Sequence, residues 1–282
     1  MILREKAHAK VNIGLRIMAR RPDGYHDLDT YFHLVGLCDD IVLSVTESSC
    51  TRVSIRGNRD YLPEGGVDLM EKAARLFSSL TGICFDLEIG IDKRIPFQAG
   101  LGGGSSDAAA VLRALNGAFG LPLSGSAMMQ ACLGLGSDVP FFASGLACAR
   151  GAGRGEILSP EEAVELPALI VQRCGDRVST ARAFQLVDGR QERPVPLPSW
   201  DPDPERWHEL YSNDFDIIQP ILSDSFYLDA VSSSTWHSTS GSGSSQIVVC
   251  SSPAGLDDII SRFASCKDTY RVIRTGLVKN VT

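Results

Sequence analysis

The sequence lacks closely spaced cysteines, although it contains eight of them in 282 residues. No two form a CxxC pair, so a zinc knuckle or a thioredoxin-like motif is excluded. It also lacks any apolar stretch near the roughly 18 residues that a membrane span needs, and Met1 to Lys6 begin no such stretch. We therefore expect a cytoplasmic protein with reduced cysteines and no membrane partner.

An excess of basic residues is missing as well. Lys plus Arg number 27 and Asp plus Glu 34, which gives a net charge of −7. Such a chain repels a phosphate backbone at long range, so nucleic acid is not an expected partner. The five histidines (8, 26, 33, 208 and 237) lack metal-ligand spacing, so no metal cluster built by the protein is expected.

Alternation of apolar and polar residues predicts a strand from Ala9 to Ile17. Its odd positions are apolar and its even positions are mostly polar, so Lys10 and Asn12 share one face, about 7 Å apart along the strand. The turn-compatible segment Arg21–Gly24 follows, with Pro, Asp and Gly in order.

The rest of the chain alternates between strand and helix patterns. Further strands are predicted at Ile41–Val45, Val53–Ile55, Phe85–Ile89, Ala168–Val171, Ile247–Cys250 and Tyr270–Ile273. Helices are predicted at Val67–Leu80, at Leu256–Cys266, and after a glycine-rich segment, where Ser105 or Ser106 can be the N-cap.

The length suggests about two domains, and the pattern changes after Gly155. We therefore expect an N-terminal domain over residues 1–157 and an α+β C-terminal domain over 158–282. The five prolines of Pro194–Pro204 indicate a surface loop or connector. By composition alone, the Ser, Thr and Gly residues of Ser232–Ser245 favour a flexible loop.

The strongest motif is PFQAGLGGGSSD, from Pro96 to Asp107, which runs directly into a helix pattern. Glycines let a backbone turn its N–H groups inward, and the helix N-terminus adds further donors and a positive dipole end. This arrangement suits a di- or triphosphate. The segment has neither the Lys of a GxxxxGK[ST] loop nor the third Gly of GxGxxG. The alternative interpretation is a flexible glycine turn that caps a helix.

The segment PxxxGLGGGSSDAAA resembles the phosphate-binding motif of the GHMP kinases, the superfamily of galactokinase, homoserine kinase and mevalonate kinase. Other segments resemble, in order and spacing, its branch acting on a methylerythritol linked to cytidine diphosphate: AKVN (9–12), RPDGYH (21–26), GSDVPFF (136–142), VST (178–180), ND (213–214) and SGSG (240–243). The resemblance implies an α+β, two-domain GHMP kinase fold with the active site in the interdomain cleft.

The resemblance also implies a reaction. ATP, arriving with Mg²⁺, would phosphorylate the 2-hydroxyl of that small-molecule substrate in non-mevalonate isoprenoid biosynthesis. Asp138 would accept or orient the proton of the attacking hydroxyl, and Lys10 would stabilise charge on the transferring phosphoryl group. Without the resemblance, an N-cap explains Asp138 equally well, and a solvated strand face is the favoured interpretation of Lys10.

The nucleotide would be bound by residues in and just before the glycine loop, with Ser106 near Mg²⁺: Lys93, Pro96, Gly100, Leu101, Gly102, Gly103, Gly104, Ser105 and Ser106. The substrate would be bound by residues from both domains: Asn12, Tyr25, His26, Phe184, Gly241, Ser242 and Gly243.

In that branch a tyrosine stacks on the cytosine and the following histidine hydrogen-bonds it, which implies these roles for Tyr25 and His26. Phe184 can close a sandwich around the base, or it can be a core residue. The chain departs from the family pattern at residues 151–156, which run about two residues longer, and at 232–239. The alternatives are another GHMP kinase of a small alcohol and a non-catalytic nucleotide-binding homologue. Tyr25 and His26 disfavour the first, while the presence of both Lys10 and Asp138 disfavours the second.

Overall fold

A computed structural model describes residues 1–58, 68–175, 179–188 and 194–280. Its strands are β1 (Ile2–Arg20), β2 (His26–Glu47), β3 (Arg52–Gly57), β4 (Phe85–Asp92), β5 (Cys148–Gly153), β6 (Ile157–Pro160), β7 (Leu166–Arg173), β8 (Trp236–Thr239), β9 (Gln246–Val249) and β10 (Tyr270–Leu277). Its helices are α1 (Leu69–Thr81), α2 (Gly103–Ala118), α3 (Gly125–Leu135), α4 (Val139–Ala143), α5 (Thr180–Val187), α6 (Trp207–Leu210), α7 (Ser225–Ala230) and α8 (Pro253–Phe263).

The strand β2 is the centre of the sheet. It pairs antiparallel with β1, β4 and β5, and it meets β10 at the single pair Val35–Leu277. From β10 the sheet continues through β7 and β9 to β8, while β3 and β4 form its parallel pair at the other edge. The N-terminal and C-terminal halves are thus joined through β2 and β10.

Two of the apolar clusters pack the strands against neighbouring elements. One packs α1 to α4 on β2 and β4, and the alanines 108–110 of α2, all fully buried, let that helix lie close to the sheet. The other joins β1, through Ala9, Val11 and Ile13, to apolar residues of β7 and β9. The predicted strand over Ala9–Ile17 is confirmed, and both of its faces are covered, since Lys10 and Asn12 are also buried.

Most predicted elements are present, including all six further strands, of which the last extends to Leu277. The helix predicted from Val67, which lies outside the described residues, begins at Leu69, because the Asp68 carboxylate accepts a hydrogen bond from Met70 N at 2.8 Å. The Ser-rich segment is not a flexible loop: it contains β8, and Ser238 and Thr239 are buried against β9. The boundary at residue 157 stays a prediction.

The N-cap predicted for α2 is wrong. The helix begins at Gly103 and its N-cap is Gly102, which has a φ of 70° and no side chain to bond the first turn. Ser105 and Ser106 therefore lie within the first turn, where Ser106 N donates to Gly102 O at 2.9 Å. The consequence is a helix start whose leading N–H groups are not capped by a side chain.

Candidate active site

A cavity of about 930 Å³ lies where the two halves of the chain meet. Its walls come from β1, β2, the segment before α2, the start of α4, the hairpin between β5 and β6, α5, and the Ser-Gly segment after β8. This volume is at the upper end of those typical of small-molecule sites.

The glycine-rich segment forms one end of this cavity. Seven of the predicted nucleotide-binding residues line it: Lys93, Pro96, Gly100, Gly102, Gly103, Gly104 and Ser105. Leu101 and Ser106 are only 1% and 3% exposed and lie behind the wall, because Leu101 packs in the apolar cluster beneath β1. The uncapped N-terminus of α2 opens between these residues, which suits an anion.

The two glycine segments contact each other directly. The Ser240 hydroxyl donates to Gly100 O at 2.9 Å, and Gly241 N donates to the Asn12 amide oxygen at 2.9 Å. Gly241 and Ser242 line the cavity, whereas Gly243 is buried and packs on Gln219. The segment Ser240–Gly243 therefore braces the glycine-rich segment before α2, and only part of it faces the cavity.

Gly100→Ala should disrupt this junction. A Cβ at Gly100 would lie 2.0 Å from Ser240 O, and the residue has a φ of +76°, which alone costs roughly 1–2 kcal/mol for other residues. We expect ATP affinity, measured by calorimetry, to fall roughly tenfold or more. The control is Gly117→Ala in α2, where a Cβ has no atom within 4 Å; it should bind ATP normally. Unchanged ATP binding by a folded Gly100→Ala protein would contradict the junction's role.

Lys10 and Asp138 lie next to each other in the wall of the cavity. The Lys10 ammonium lies 3.6 Å from Asp138 Oδ2, and the two side chains are 5% and 32% exposed. Asp138 occupies the N-cap position of α4, yet its side chain makes no capping hydrogen bond. The N-cap interpretation thus explains its position in the chain but not the direction of its carboxylate. The strand-face interpretation of Lys10 fails too, since the side chain is buried over the Phe32 ring at 5.2 Å.

Asn12 holds Lys10 in place. Its amide oxygen accepts from Lys10 Nζ at 2.6 Å and from Gly241 N, and its amide nitrogen donates to Thr30 Oγ1 at 2.7 Å. The Thr30 hydroxyl donates in turn to Gly14 O at 2.7 Å. Asn12 lines the cavity but is 1% exposed. These three hydrogen bonds position Asn12 and Lys10 relative to each other, and the contact of Asn12 with substrate stays a prediction.

Lys93 forms ion pairs with two acidic residues to which the sequence analysis assigned no role. Its ammonium pairs with Asp39 and, at 2.6 Å, with Asp107, and all three side chains are at most 7% exposed. Burial opposes the charged lysine, but the two carboxyls raise its pKa above the usual value. Burial raises the pKa of Asp107 to about 8. Lys93 therefore lines the cavity as part of a buried network and not as a cation directed only at ATP.

The other end of the cavity is aromatic. Tyr25 is 52% exposed, and the Arg154 guanidinium lies 4.7 Å from its ring centroid. Phe184 stacks directly on His26, with centroids 4.8 Å apart and an interplanar angle of 12°, and meets Phe215 edge-on. The His26 ring thus covers one face of Phe184, and a sandwich of Tyr25 and Phe184 around a base stays a prediction.

Arg154 and Asp188 also line this end, and sequence reasoning assigned a role to neither. The signal for Arg154 was its place in the longer segment 151–156. Asp188, with its carboxylate 2.6 Å from His26 Nε2, gave no signal, because 162 residues separate the pair.

Among the described residues, no helix has the length and apolar composition that a bilayer crossing needs.

Comparison with known proteins defines the class first. The family profile "GHMP kinases N terminal domain" matches residues 68–146. The crystal structure of the mevalonate kinase of Methanococcus jannaschii superposes with a TM-score of 0.67 at 11% identity, covering 99% of this chain and 98% of that one. The fold is the two-domain α+β fold of the GHMP kinases, as predicted.

The family follows from nearer relatives. A 4-diphosphocytidyl-2-C-methyl-D-erythritol kinase of Geobacter metallireducens is 42% identical over 182 residues, 64% of each chain, and that of Geotalea daltonii is 40% identical over 195 residues, 68% of each. The match thus spans less than two thirds of the Geobacter protein. A crystal structure of 4-(cytidine 5'-diphospho)-2C-methyl-D-erythritol kinase superposes with a TM-score of 0.78 at 31% identity, covering 98% of this chain and 99% of that one. The chain therefore belongs to the 4-diphosphocytidyl-2-C-methyl-D-erythritol kinase family.

Proposed function

We propose that this protein transfers the γ-phosphoryl group of ATP to the 2-hydroxyl of 4-diphosphocytidyl-2-C-methyl-D-erythritol, as a cytoplasmic enzyme of non-mevalonate isoprenoid biosynthesis. The observation that supports it most is the position of Lys10 and Asp138, 3.6 Å apart, in one cavity between an open helix N-terminus and an aromatic end. Eight free cysteines fit a reducing compartment.

In this proposal the phosphates of ATP bind the N–H groups at the start of α2, where backbone dipoles favour anions. Asp138 accepts or orients the proton of the attacking hydroxyl. The Lys10 ammonium, fixed by Asn12, stabilises the charge that develops on the phosphoryl oxygens. Tyr25, His26 and Phe184 surround the cytosine at the opposite end.

Magnesium would reach this site with ATP. Ser106, the residue expected near it, is buried, whereas Ser105 lines the cavity beside the loop and fits a hard cation as a hydroxyl oxygen donor. Among the described residues, no group of three His, Cys, Asp or Glu side chains is arranged for a metal, so phosphate oxygens would supply most ligands. The ion would neutralise charge on the transferring phosphate.

The test is ADP release with purified protein, ATP and magnesium, comparing the cytidyl substrate with mevalonate, homoserine and galactose. We expect turnover with the cytidyl substrate and little with the others, because only it can use the aromatic end. Turnover with another alcohol would support a different GHMP kinase. ATP binding without turnover of any of the four would support a non-catalytic homologue.

A further inference from the structure

The His26 ring is held on two sides by one helix and its end. Phe184 stacks on its face, with centroids 4.8 Å apart, and Asp188, four residues later, places Oδ1 2.6 Å from His26 Nε2. Side chains four residues apart lie on the same face of a helix. The His26 side chain is 8% exposed and lines the cavity, so its orientation is set by contacts from α5 and from Asp188, the C-cap residue that follows α5.

The contact with Asp188 also sets which nitrogen carries the proton. A carboxylate only accepts hydrogen bonds, so Nε2 must be the donor. In a neutral imidazole the other nitrogen, Nδ1, then carries a lone pair. Within the part of the chain that the structure describes, Nδ1 of His26 has no hydrogen-bond partner. The ring is thus left with one hydrogen-bond acceptor for a ligand in the cavity.

We propose that Asp188 is a positioning residue that makes His26 select a pyrimidine bearing an amino group. The inference rests on the proposed function, because it concerns the cytidine diphosphate end of that substrate. The exocyclic amine of cytosine donates a hydrogen bond, which the Nδ1 lone pair accepts. Uracil has a carbonyl oxygen at that position, and two acceptors facing each other leave both unsatisfied in a buried site.

The experiment uses the full chain, with CDP and UDP as probes in calorimetry. Wild type should bind CDP roughly tenfold or more tightly than UDP. In Asp188→Asn the amide can donate to the ring, so the proton is free to move to Nδ1 and the CDP preference should fall towards unity. Long-range ¹⁵N NMR of histidine-labelled protein should show protonated Nε2 in wild type and a changed tautomer in the variant.

Two variants separate positioning from general damage. Asp27→Asn makes the same change one residue from His26, at a carboxylate that pairs with Arg21, and should keep both the CDP preference and the tautomer. Tyr25→Ala should weaken CDP and UDP together, since stacking does not distinguish the two bases.

The proposal is overturned if wild type binds CDP and UDP equally or binds neither. It is also overturned if His26 in wild type is protonated at Nδ1, or if Asp188→Asn keeps the full preference. Failure of the proposed function shows itself separately, as absence of ADP release with the cytidyl substrate. The tautomer and the ratio of the two affinities are read without turnover.

Discussion

Asp138→Asn should lower turnover by roughly 10²–10⁴, the range for a positioned acid–base group. The amide keeps the shape but removes the proton acceptor and the negative charge that lies 3.6 Å from Lys10 Nζ. Affinity for ATP and for the cytidyl substrate should change little, because the lost interaction belongs mainly to the transition state. Single-turnover rates and calorimetry measure the two quantities separately.

The matched control is Asp86→Asn, which removes a carboxylate from an exposed pair with Arg52 and should leave turnover unchanged. Lys10→Met should also depress turnover, and the double variant should be far from additive if the two side chains act together. An Asp138→Asn protein that keeps most of its single-turnover rate would make Asp138 only the N-cap residue of α4. Phosphate positioning would then have to explain any kinase activity.

The fold was predictable where local pattern and burial agree. Period-two alternation identified β1 because its apolar side faces a core cluster, and the glycine motif located the start of α2 to within a few residues. The exact N-cap was missed, since a serine is the better cap by propensity, whereas Gly102 adopts a left-handed φ of 70°. The Ser-rich segment was misread by composition alone, because burial of Ser238 and Thr239 depends on pairing with β9.

The site was predictable only as far as motifs extend. Lys10, Asp138 and the glycine loop stand in contiguous motifs, so a resemblance could assign them. Asp39 pairs with Lys93, which lies 54 residues away in the chain. Asp188 pairs with His26, which lies 162 residues away. Such pairs arise from sheet topology, which no local pattern encodes. A signal did exist for Asp107: an acid among fully buried alanines of α2 requires a partner.

Lys93→Met should be strongly destabilising, by about 3–5 kcal/mol. The Lys93 side chain is 7% exposed and lies between Asp39 and Asp107, at 0% and 3%. Asp39 accepts hydrogen bonds from the backbone N–H of Arg94 and Ile95 and would remain as a buried anion without its cation. The measurement is the denaturation midpoint in urea, with Lys72→Met on α1 as a control that removes a lysine outside this network.

Asp107→Asn should instead raise the free energy of unfolding. The carboxylate of Asp39 alone is enough to neutralise the buried Lys93 ammonium. Burial raises the pKa of Asp107 to about 8, from a usual value of 3.8. The folded state therefore keeps a proton that the unfolded chain releases, and the stability due to this group falls as pH rises from about 4 to about 8. Asparagine has no such proton, so the variant should gain on wild type across that range. A Lys93→Met protein within 1 kcal/mol of wild type would show that Lys93 is not needed to neutralise Asp39. For Asp107→Asn, the contradicting result is a pair of parallel stability–pH curves for wild type and variant, which would show that Asp107 is ionised in the folded state.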